Sequence, residues 1–484
     1  MTPVVVGVGQ VLQRRDAIDP AGGLDAIDLM VSAARAAADD AGAPTLLGRV
    51  GAVLVPEGTW PSGDAGRVIA ERLGAPAART TLARIGILQT TLLARAAAAI
   101  ATGEVDVVLV VGGEARASAV ARNRAGLAPL VRTWPPSADV DLAPHGEIVT
   151  AVEIERGLAV PAQSYAIQEE AVRHNRSETV DAHRRRLGAL WARFSDVAVA
   201  NPFAWDAAGH DGAEIADPAA PGNRMVATPY TRRHCSQWTV DQAVAILLCS
   251  THVADELGVA TDRRVYPVAV VESNAMIPVS ARADLHRSPA VAVAGRRLAA
   301  LTGREPASVE HVDLYSCFPS AVQIQAAELD IDLGRCLTVN GGMTFAGGPL
   351  NSAALHAVAA MVDVLRRDPG SSGLVTAVSG MLTKVGLSMW STGAPPAGFR
   401  FADVSDDADA VTSVRQIDPA YAGMATVDGS TVAYDRDGPA VAVVVATEPG
   451  GRRVVATSTD QHLAARFAAD PPTGEQVRVD GGQM

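Results

Sequence analysis

One pattern occurs twice in this chain and limits what it can fold into. An Ala-rich helical stretch is followed by a turn, an apolar strand and then glycine, first over residues 91–115 and again over residues 355–382. A strand with almost no polar residue is typical of a sheet that helices cover on both faces. The simplest explanation is a duplicated pair of α/β halves.

The rest of the chain is divided by reference to these two halves. The first half is predicted over 1–115 and 239–262, and the second over 263–395. Residues 116–238 are predicted as an inserted loop domain that contains charged helices. Residues 396–484 are predicted as a small, mostly β domain, since two Val-rich runs flank a Pro-Gly-Gly turn at 449–451. A barrel is one arrangement that this pattern allows.

Composition excludes several classes of protein. The 484 residues carry a formal net charge of −12, which argues against nucleic-acid binding, because contacts to phosphates need a cationic surface. The apolar N-terminal stretch is predicted as a first strand, and without a run of eighteen apolar residues no membrane span is expected. The cysteines lack a CxxC pair, so we expect reduced cytoplasmic thiols and neither a disulfide frame nor a metal site. They are Cys235, Cys249, Cys317 and Cys336.

Several separated motifs, in this order along the chain, resemble those of the thiolase superfamily. They are ARAAAAIATGEVDVVLVVGGEARAS (94–118), VANPFAW (199–205), VATPYTRRHCSQWTVDQAVAILLCS (226–250), VDLYSCFPSAVQIQAAEL (312–329), VNGGMTFAGGPLNSAALHAV (339–358) and GLVTAVSGML (373–382). The resemblance covers about residues 1–395, and the tail resembles the extra C-terminal domain of the type 1 thiolase-like group in the sterol-carrier branch. It implies a duplicated, five-layered α-β-α-β-α fold.

The same resemblance implies what the loops would do in a working thiolase. A cysteine thiolate takes the acyl group from coenzyme A, and the histidine of a Gly-His-Pro loop activates that cysteine and helps to form an oxyanion hole. The second cysteine, in a Cys-x-Gly loop, moves the proton at the substrate α-carbon. An Asn or His in a further loop positions a water molecule for another oxyanion hole.

Other residues stand at each of these positions in this chain. Counting back from Gly103-Glu104-x-Asp106 places the nucleophile position at Gly86. Gly348 replaces the histidine and Val378 replaces the second cysteine. The fourth loop reads Tyr315, Ser316, Cys317, Phe318 and lacks the family's amide or imidazole and its carboxylate. The residues expected still to shape the pocket are Gly347, Pro349, Ser379 and Gly380.

Two further residues are candidates for catalysis. Cys317 is either a displaced nucleophile or a small apolar core residue, and His356 faces either the pocket or the helix packing. Adjacent residues on an extended chain point apart, so a working His234–Cys235 couple is not expected. The Gly-rich stretch at 339–358 has no following Lys-Ser/Thr and no GxGxxG, which excludes a P-loop and disfavours a dinucleotide fold.

Two functions of different classes follow. The first is a thiolase-like protein without the catalytic residues that binds an acyl-CoA, a related acyl thioester or a protein partner in lipid metabolism. The alternative is an acyltransferase that resembles acetyl-CoA acetyltransferase and acts on acyl-CoA through other residues. Thiolase activity itself is not expected, and whether the chain is an enzyme is left open. No cofactor is required beyond a CoA or acyl-CoA ligand, and the sequence leaves monomer and homodimer open.

Overall fold

The structure is a computed structural model that describes residues 1–60, 63–130, 135 and 137–484. Its strands, in chain order, are β1 (Pro3–Leu12), β2 (Ala52–Pro56), β3 (Arg79–Ala83), β4 (Val107–Ala115), β5 (Val140–Leu142), β6 (Met225–Ala227), β7 (Tyr230–Thr231), β8 (Asp241–Ser250), β9 (Tyr266–Ser273), β10 (His311–Asp313), β11 (Ser372–Ser379), β12 (Lys384–Ser391), β13 (Arg400–Asp403), β14 (Ala422–Tyr434), β15 (Pro439–Thr447), β16 (Arg453–Ser458) and β17 (Gln476–Asp480).

Several helices begin where the sequence supplies a side-chain N-cap or a proline in the first turn. Asp25, for example, accepts a hydrogen bond from the backbone N–H of Asp28 and starts the first helix with a capping box. The helices are α1 (Ala26–Asp40), α2 (Ala65–Arg72), α3 (Gln89–Thr102), α4 (Arg116–Arg124), α5 (Ala151–Glu155), α6 (Pro161–Asn175), α7 (Val180–Val199), α8 (Gly212–Ala216), α9 (Thr251–Glu256), α10 (Pro289–Thr302), α11 (Pro319–Glu328), α12 (Gly342–Phe345), α13 (Ala353–Arg367), α14 (Ser405–Val411) and α15 (Gln461–Ala469).

Two sheets form the body of the molecule. The first has the strand order β1-β8-β4-β2-β3-β5, and the second has the order β10-β11-β12-β9-β13. Strands β4 and β11, the apolar runs of the repeated sequence pattern, are buried almost along their whole length. Both therefore lie inside their sheets with helices on either side, as the sequence predicts.

The hydrophobic cores define the layers. One core joins α1 and α2 to the outer face of the first sheet. A second core joins both sheets through α3 and α13, which form the middle layer. A third core joins α10 and α11 to the outer face of the second sheet. The order is α-β-α-β-α, and the five-layered fold expected from the sequence is confirmed.

A third sheet contains the C-terminal strands, in the order β16-β15-β14-β6-β7 with β17 on β14. The hairpin of β15 and β16 turns at the predicted Pro-Gly-Gly, and the mostly β domain is confirmed. The described strands form no closed barrel, so the barrel allowed by the sequence is not what the tail adopts. The strands differ too much in length and partner number for closure: β14 pairs with β15, β17 and β6 in turn.

The predicted domain boundaries remain predictions, and three pairings cross them. Strand β5 of the inserted segment lies beside β3 in the first sheet. Strands β6 and β7, also in that segment, extend the C-terminal sheet. Strand β13, which lies beyond residue 395, runs parallel to β9 in the second sheet. The inserted segment and the tail therefore both share sheets with neighbouring parts of the chain.

Candidate functional site

The four loops singled out in the sequence meet at one place. Leu88, Ala354, Ala377 and Tyr315 form one small apolar cluster. Each comes from a different loop: the turn between β3 and α3, the start of α13, the end of β11, and the segment between β10 and α11. This meeting point is called the loop cluster below.

Gly86, the predicted nucleophile position, has a backbone φ of +105°. L-residues other than glycine rarely adopt this conformation. A Cβ atom at Gly86 would lie 2.9 Å from Cγ of Pro144 and 3.6 Å from Cδ1 of Ile148. The inserted segment therefore covers the point from which a nucleophilic side chain would project.

Ile148 also reaches the loop that carries Val378. Its Cγ2 lies 2.8 Å from the position of a Cβ on Gly380. One isoleucine side chain is thus in contact range of the nucleophile loop and of the loop where a thiolase holds its second cysteine. Val378 itself is buried in the large core on the outer side of the second sheet. Ser379 and Gly380 are half-buried.

Gly347, Gly348 and Pro349 hold their loop by backbone contacts. Gly347 has a φ of +108°, and a Cβ there would overlap Oε1 of Gln242. The N–H of Gly348 donates to the carbonyl oxygen of Gln237 at 2.9 Å. A Cβ at Gly348 would lie 3.1 Å from Cε of Met343, so Met343 lies beside the position of the family's histidine.

The fourth loop uses its polar groups for local structure. The N–H of Tyr315 donates to Oγ1 of Thr376 at 2.7 Å. Oγ of Ser316 accepts from the N–H of Met343 at 3.1 Å. Cys317 is buried, and burial raises the pKa of its thiol to about 12. A thiol with that pKa is protonated near neutral pH, whereas the nucleophile is the thiolate.

Tyr165, on α6 of the inserted segment, joins this loop to the next. Its ring stacks on Phe318 with centroids 4.8 Å apart. Its hydroxyl donates to the carbonyl oxygen of Gly380 at 3.2 Å. Burial raises the pKa of this hydroxyl well above its ordinary value, so Tyr165 is a neutral donor that fixes the loop containing Gly380.

His356 is turned toward strand β1. Its Nδ1 lies 2.8 Å from Oε1 of Gln10, and burial lowers the pKa of the imidazole to about 3. The ring is therefore neutral at physiological pH. His356 contacts Gln10 of the first sheet, whereas Tyr315 packs in the loop cluster.

A cavity of about 650 Å³ adjoins the nucleophile loop, and Ile87 and Pro144 form part of its lining. Lys384, Glu272 and Asp403 line it from three neighbouring strands, β12, β9 and β13. Asp403 pairs with Glu272, and Glu272 pairs with Gly386, two residues after Lys384. Paired residues project to one face of a sheet, so these three side chains form a row. This space is called the lysine cavity below.

Helix α3 packs over that row of charged side chains. Gly386 permits this approach, because a Cβ there would overlap the hydroxyl of Thr90. Thr90 donates to Oε1 of Glu272, and Thr91 donates to Oε2 of the same carboxyl at 2.9 Å. Burial raises the pKa of Glu272 to about 7, and the charge of Asp403 adds to that shift, while the threonine hydrogen bonds oppose it.

Lys384 was not singled out by the sequence motifs, although one signal was present. It is the only lysine among the 41 Lys and Arg residues of the chain. Its amine is buried and donates a hydrogen bond to the carbonyl oxygen of Gly86 at 3.1 Å. Val378 and Lys384 lie on opposite faces of the β11–β12 hairpin, since Val378 pairs with Val385. The lysine cavity is therefore distinct from the loop cluster.

Within the described residues, no group of three or more His, Cys, Asp or Glu side chains is arranged to hold a metal ion. No described helix has the length and apolar character needed to cross a bilayer.

Comparison with known proteins supports this reading of the fold. Residues 403–482 match the family model of the thiolase-like protein type 1 additional C-terminal domain. A monomeric SCP2-thiolase-like protein type 1 from Mycobacterium smegmatis is 26% identical, with a TM-score of 0.82 over 99% of this chain and 96% of that one. In its fold and in its additional C-terminal domain, this chain is similar to the thiolase-like proteins of type 1.

Two further solved structures share the fold at lower sequence identity. An acetyl-CoA acetyltransferase from Syntrophomonas wolfei is 18% identical, with a TM-score of 0.56 over 81% of this chain and 99% of that one. The Acat5 thiolase from Ascaris suum, solved in complex with coenzyme A, is 15% identical, with a TM-score of 0.57 over 81% and 100%. A search among curated proteins finds no match. For this thiolase-like protein, the distant neighbours establish the fold alone.

Proposed function

We propose that this thiolase-like protein binds an acyl-CoA or a related acyl thioester and does not transfer its acyl group. The observation that supports this most directly is Gly86 at the nucleophile position, with Pro144 and Ile148 in the space beside it. The thiol of Cys317, in the neighbouring loop, is buried and protonated. An acyl thioester therefore meets no thiolate at the loop cluster.

The lysine cavity is the place where we propose that the acyl compound binds. Ile87 and Pro144, which flank the nucleophile loop, form part of its wall, and that wall is more apolar than polar. Arg95 lines the cavity, is exposed, and has no ion-pair or hydrogen-bond partner among the described residues. An apolar wall with a free cation suits an acyl chain attached to an anionic carrier. The Ascaris thiolase was solved with coenzyme A, which makes CoA the first compound to test.

Calorimetric titration with CoA and with octanoyl-CoA tests this proposal. We expect saturable binding that is stronger for octanoyl-CoA, because the acyl chain buries apolar surface. Arg95→Gln should weaken binding of both compounds, whereas Arg35→Gln, on the exposed face of α1, should leave binding unchanged. Absence of binding by either compound would overturn the proposal and leave a protein partner as the better explanation.

Intact-mass analysis after incubation with acetoacetyl-CoA tests the second part. We expect an unmodified chain and no thiolytic release of acetyl-CoA. An acyl adduct, mapped to Cys317 or to any other side chain, would contradict the absence of acyl transfer and favour an acyltransferase that uses other residues.

A further inference from the structure

We propose that Lys384 is a nucleophilic amine that forms a reversible imine with the carbonyl group of an anionic oxo compound held in the lysine cavity. The site shares its cavity with the proposed acyl-CoA site, but it needs neither CoA nor a thioester. The ligand class is an oxo acid: an aldehyde or ketone carbonyl on a mostly apolar skeleton with a carboxylate.

The first support is the identity and burial of the side chain. Lys384 is the single lysine of the chain, and the rest of its 41 Lys and Arg residues are arginines. This lysine lies in the wall of a cavity. The amine is buried, makes one hydrogen bond to Gly86, and has no ion-pair partner among the described residues. Burial disfavours the charged ammonium and lowers the pKa of Lys384, although the charge of Glu272 partly opposes that shift. Arginine could donate to the Gly86 carbonyl as well, but arginine cannot form an imine.

The second support is a proton carrier on the same face of the sheet. Glu272 lies on the strand next to that of Lys384, and both line the cavity. Its pKa of about 7 lets it exist in both protonation states near neutral pH. Catalytic carboxyl and amine groups are commonly brought toward neutral pKa by burial in this way.

The reaction balances with these two groups alone. The neutral amine of Lys384 attacks the carbonyl carbon, and the resulting carbinolamine keeps one N–H and one hydroxyl. Glu272 gives its proton to that hydroxyl, which leaves as water while the C=N bond forms. The proton lost from nitrogen returns to Glu272. No oxidant, reductant or metal takes part, and hydrolysis reverses each step.

The third support concerns the rest of the ligand. Arg95 lies four residues after Thr91 on α3, so both project from the same face of that helix toward the cavity. Its guanidinium has no partner among the described residues and can bind a carboxylate in a bidentate manner. Ala94 and Leu142 add apolar surface to the cavity wall. The cavity lining therefore combines a guanidinium for a carboxylate, apolar surface for the skeleton and an amine.

Reductive trapping tests the proposal on the intact chain. The protein is incubated with levulinate (4-oxopentanoate) and sodium cyanoborohydride, and the product is analysed by intact mass and by peptide mapping. We expect one levulinate-derived adduct on the peptide that contains Lys384. Because the chain has a single lysine, the only other amine is the exposed N-terminus of Met1, and mapping separates the two.

Variants test each part of the site. Lys384→Arg keeps the charge and Lys384→Met keeps the apolar stem, and both should lose the adduct while the N-terminal adduct remains. Arg95→Gln should reduce trapping of levulinate but not of the uncharged ketone 2-pentanone. Glu272→Gln should slow trapping of both ketones. Circular dichroism of each variant establishes that it is folded.

A wild-type peptide map without modification at Lys384 would overturn the proposal and leave the lysine as a structural donor to Gly86. Modification that is equally fast at Lys384 and at Met1, and insensitive to Arg95→Gln, would also overturn it, because an ordinary exposed amine would behave in that way. Failure of CoA to bind, with levulinate still trapped, would reject the proposed function and leave this inference standing.

Discussion

The amine of Lys384 and the carbonyl oxygen of Gly86 are 3.1 Å apart and are joined by a hydrogen bond. The contact ties the hairpin of β11 and β12 to the loop that would carry the nucleophile of a thiolase. Pro144 and Ile148 cover the predicted position of the nucleophile. Pro144 and Ile87 also line the lysine cavity. The covered position and the open cavity are therefore neighbours that share a residue.

Two adjacent glycines should respond very differently to substitution by alanine. Gly347→Ala places a Cβ at a φ of +108° and against the buried side chain of Gln242, so we expect a loss of about 3 kcal/mol in the free energy of unfolding. Gly348→Ala needs no left-handed backbone and places its Cβ 3.1–3.4 Å from Cε, Cβ and the carbonyl oxygen of Met343, so it should cost about 1 kcal/mol. Urea denaturation of both variants measures the difference, and equal losses would contradict it.

The four cysteines should differ in reactivity toward iodoacetamide at pH 8. Cys336 is exposed, whereas Cys317 is buried with a pKa of about 12. We expect one fast alkylation, at Cys336, and its loss in Cys336→Ser. Denaturation should release the remaining thiols. Rapid alkylation of Cys317 in the folded protein would show that the loop cluster is open to solvent.

Glu272 should make the folded protein less stable as pH rises. Its pKa of about 7 in the folded state exceeds the ordinary value of 4.5, so between these values the folded state holds a proton that the unfolded state has lost. We expect a loss of about 3 kcal/mol across that window, measured by urea denaturation at several pH values. The other charged or titratable groups lining the cavity are Lys384, Asp403, Arg95, Asp141 and His145.

Two variants test whether Glu272 is the group that causes this loss of stability. Glu272→Gln should remove most of the change in the free energy of unfolding with pH. Asp403→Asn should reduce it, because the charge of Asp403 contributes to the raised pKa. If the profiles of both variants run parallel to that of the wild type, another group titrates in this range.

Glu169 is a second buried carboxylate, and it should make the folded protein less stable as pH falls. Burial alone would raise the pKa of Glu169, but the hydrogen bond and charge of His183 and hydrogen bonds from Gln323 and Tyr230 outweigh burial and lower it. The carboxylate therefore contributes stability above its ordinary pKa, and that contribution is lost as pH falls through the lowered value. Glu169→Gln should cost about 3 kcal/mol at pH 7, measured by urea denaturation, and much less at pH 3. The exposed Glu71→Gln serves as the control, and an equal cost at both pH values would contradict the assignment.

Strand β5 covers an edge of the first sheet, and this pairing should favour a monomer. It pairs in parallel with the outer strand β3 of the first sheet, from Thr81 with Val140 to Ala83 with Leu142. An edge covered by the same chain offers fewer free hydrogen-bonding groups to a second copy. We expect a monomer in light scattering after size-exclusion chromatography, and a stable dimer would show that another surface is used.

Much of the fold could be predicted because its signals are local. The apolar runs that became β4 and β11 are recognisable within about ten residues, and the small helices before them pack only in a middle layer. Counting along one helix and strand predicts the nucleophile position at Gly86. Each of these inferences depends on neighbouring residues, and the structure brings Leu88 and Tyr315 of the two loops together.

The remaining features depend on contacts between distant segments. Ile148 lies in a stretch without helical or strand periodicity, and nothing local indicates that it reaches both Gly86 and Gly380. The single lysine is visible in the composition, but its burial depends on Gly386 admitting Thr90 from the other half of the chain. Strands β6 and β7 are only three and two residues long, too short for any pattern to predict.

The short strand β6 couples the unfolding of the C-terminal sheet to that of the inserted segment. Ala227 of β6 pairs with Ala433 of β14, and the N–H of Thr228 donates to the carbonyl oxygen of Val432 at 3.0 Å. At the other end of the tail, β13 completes the sheet that contains β9. The C-terminal residues thus pair with the rest of the chain at two separate places, and removing the residues after 395 would leave both places without their partner strands. Heating should accordingly produce one cooperative transition, with the tail and the body melting together.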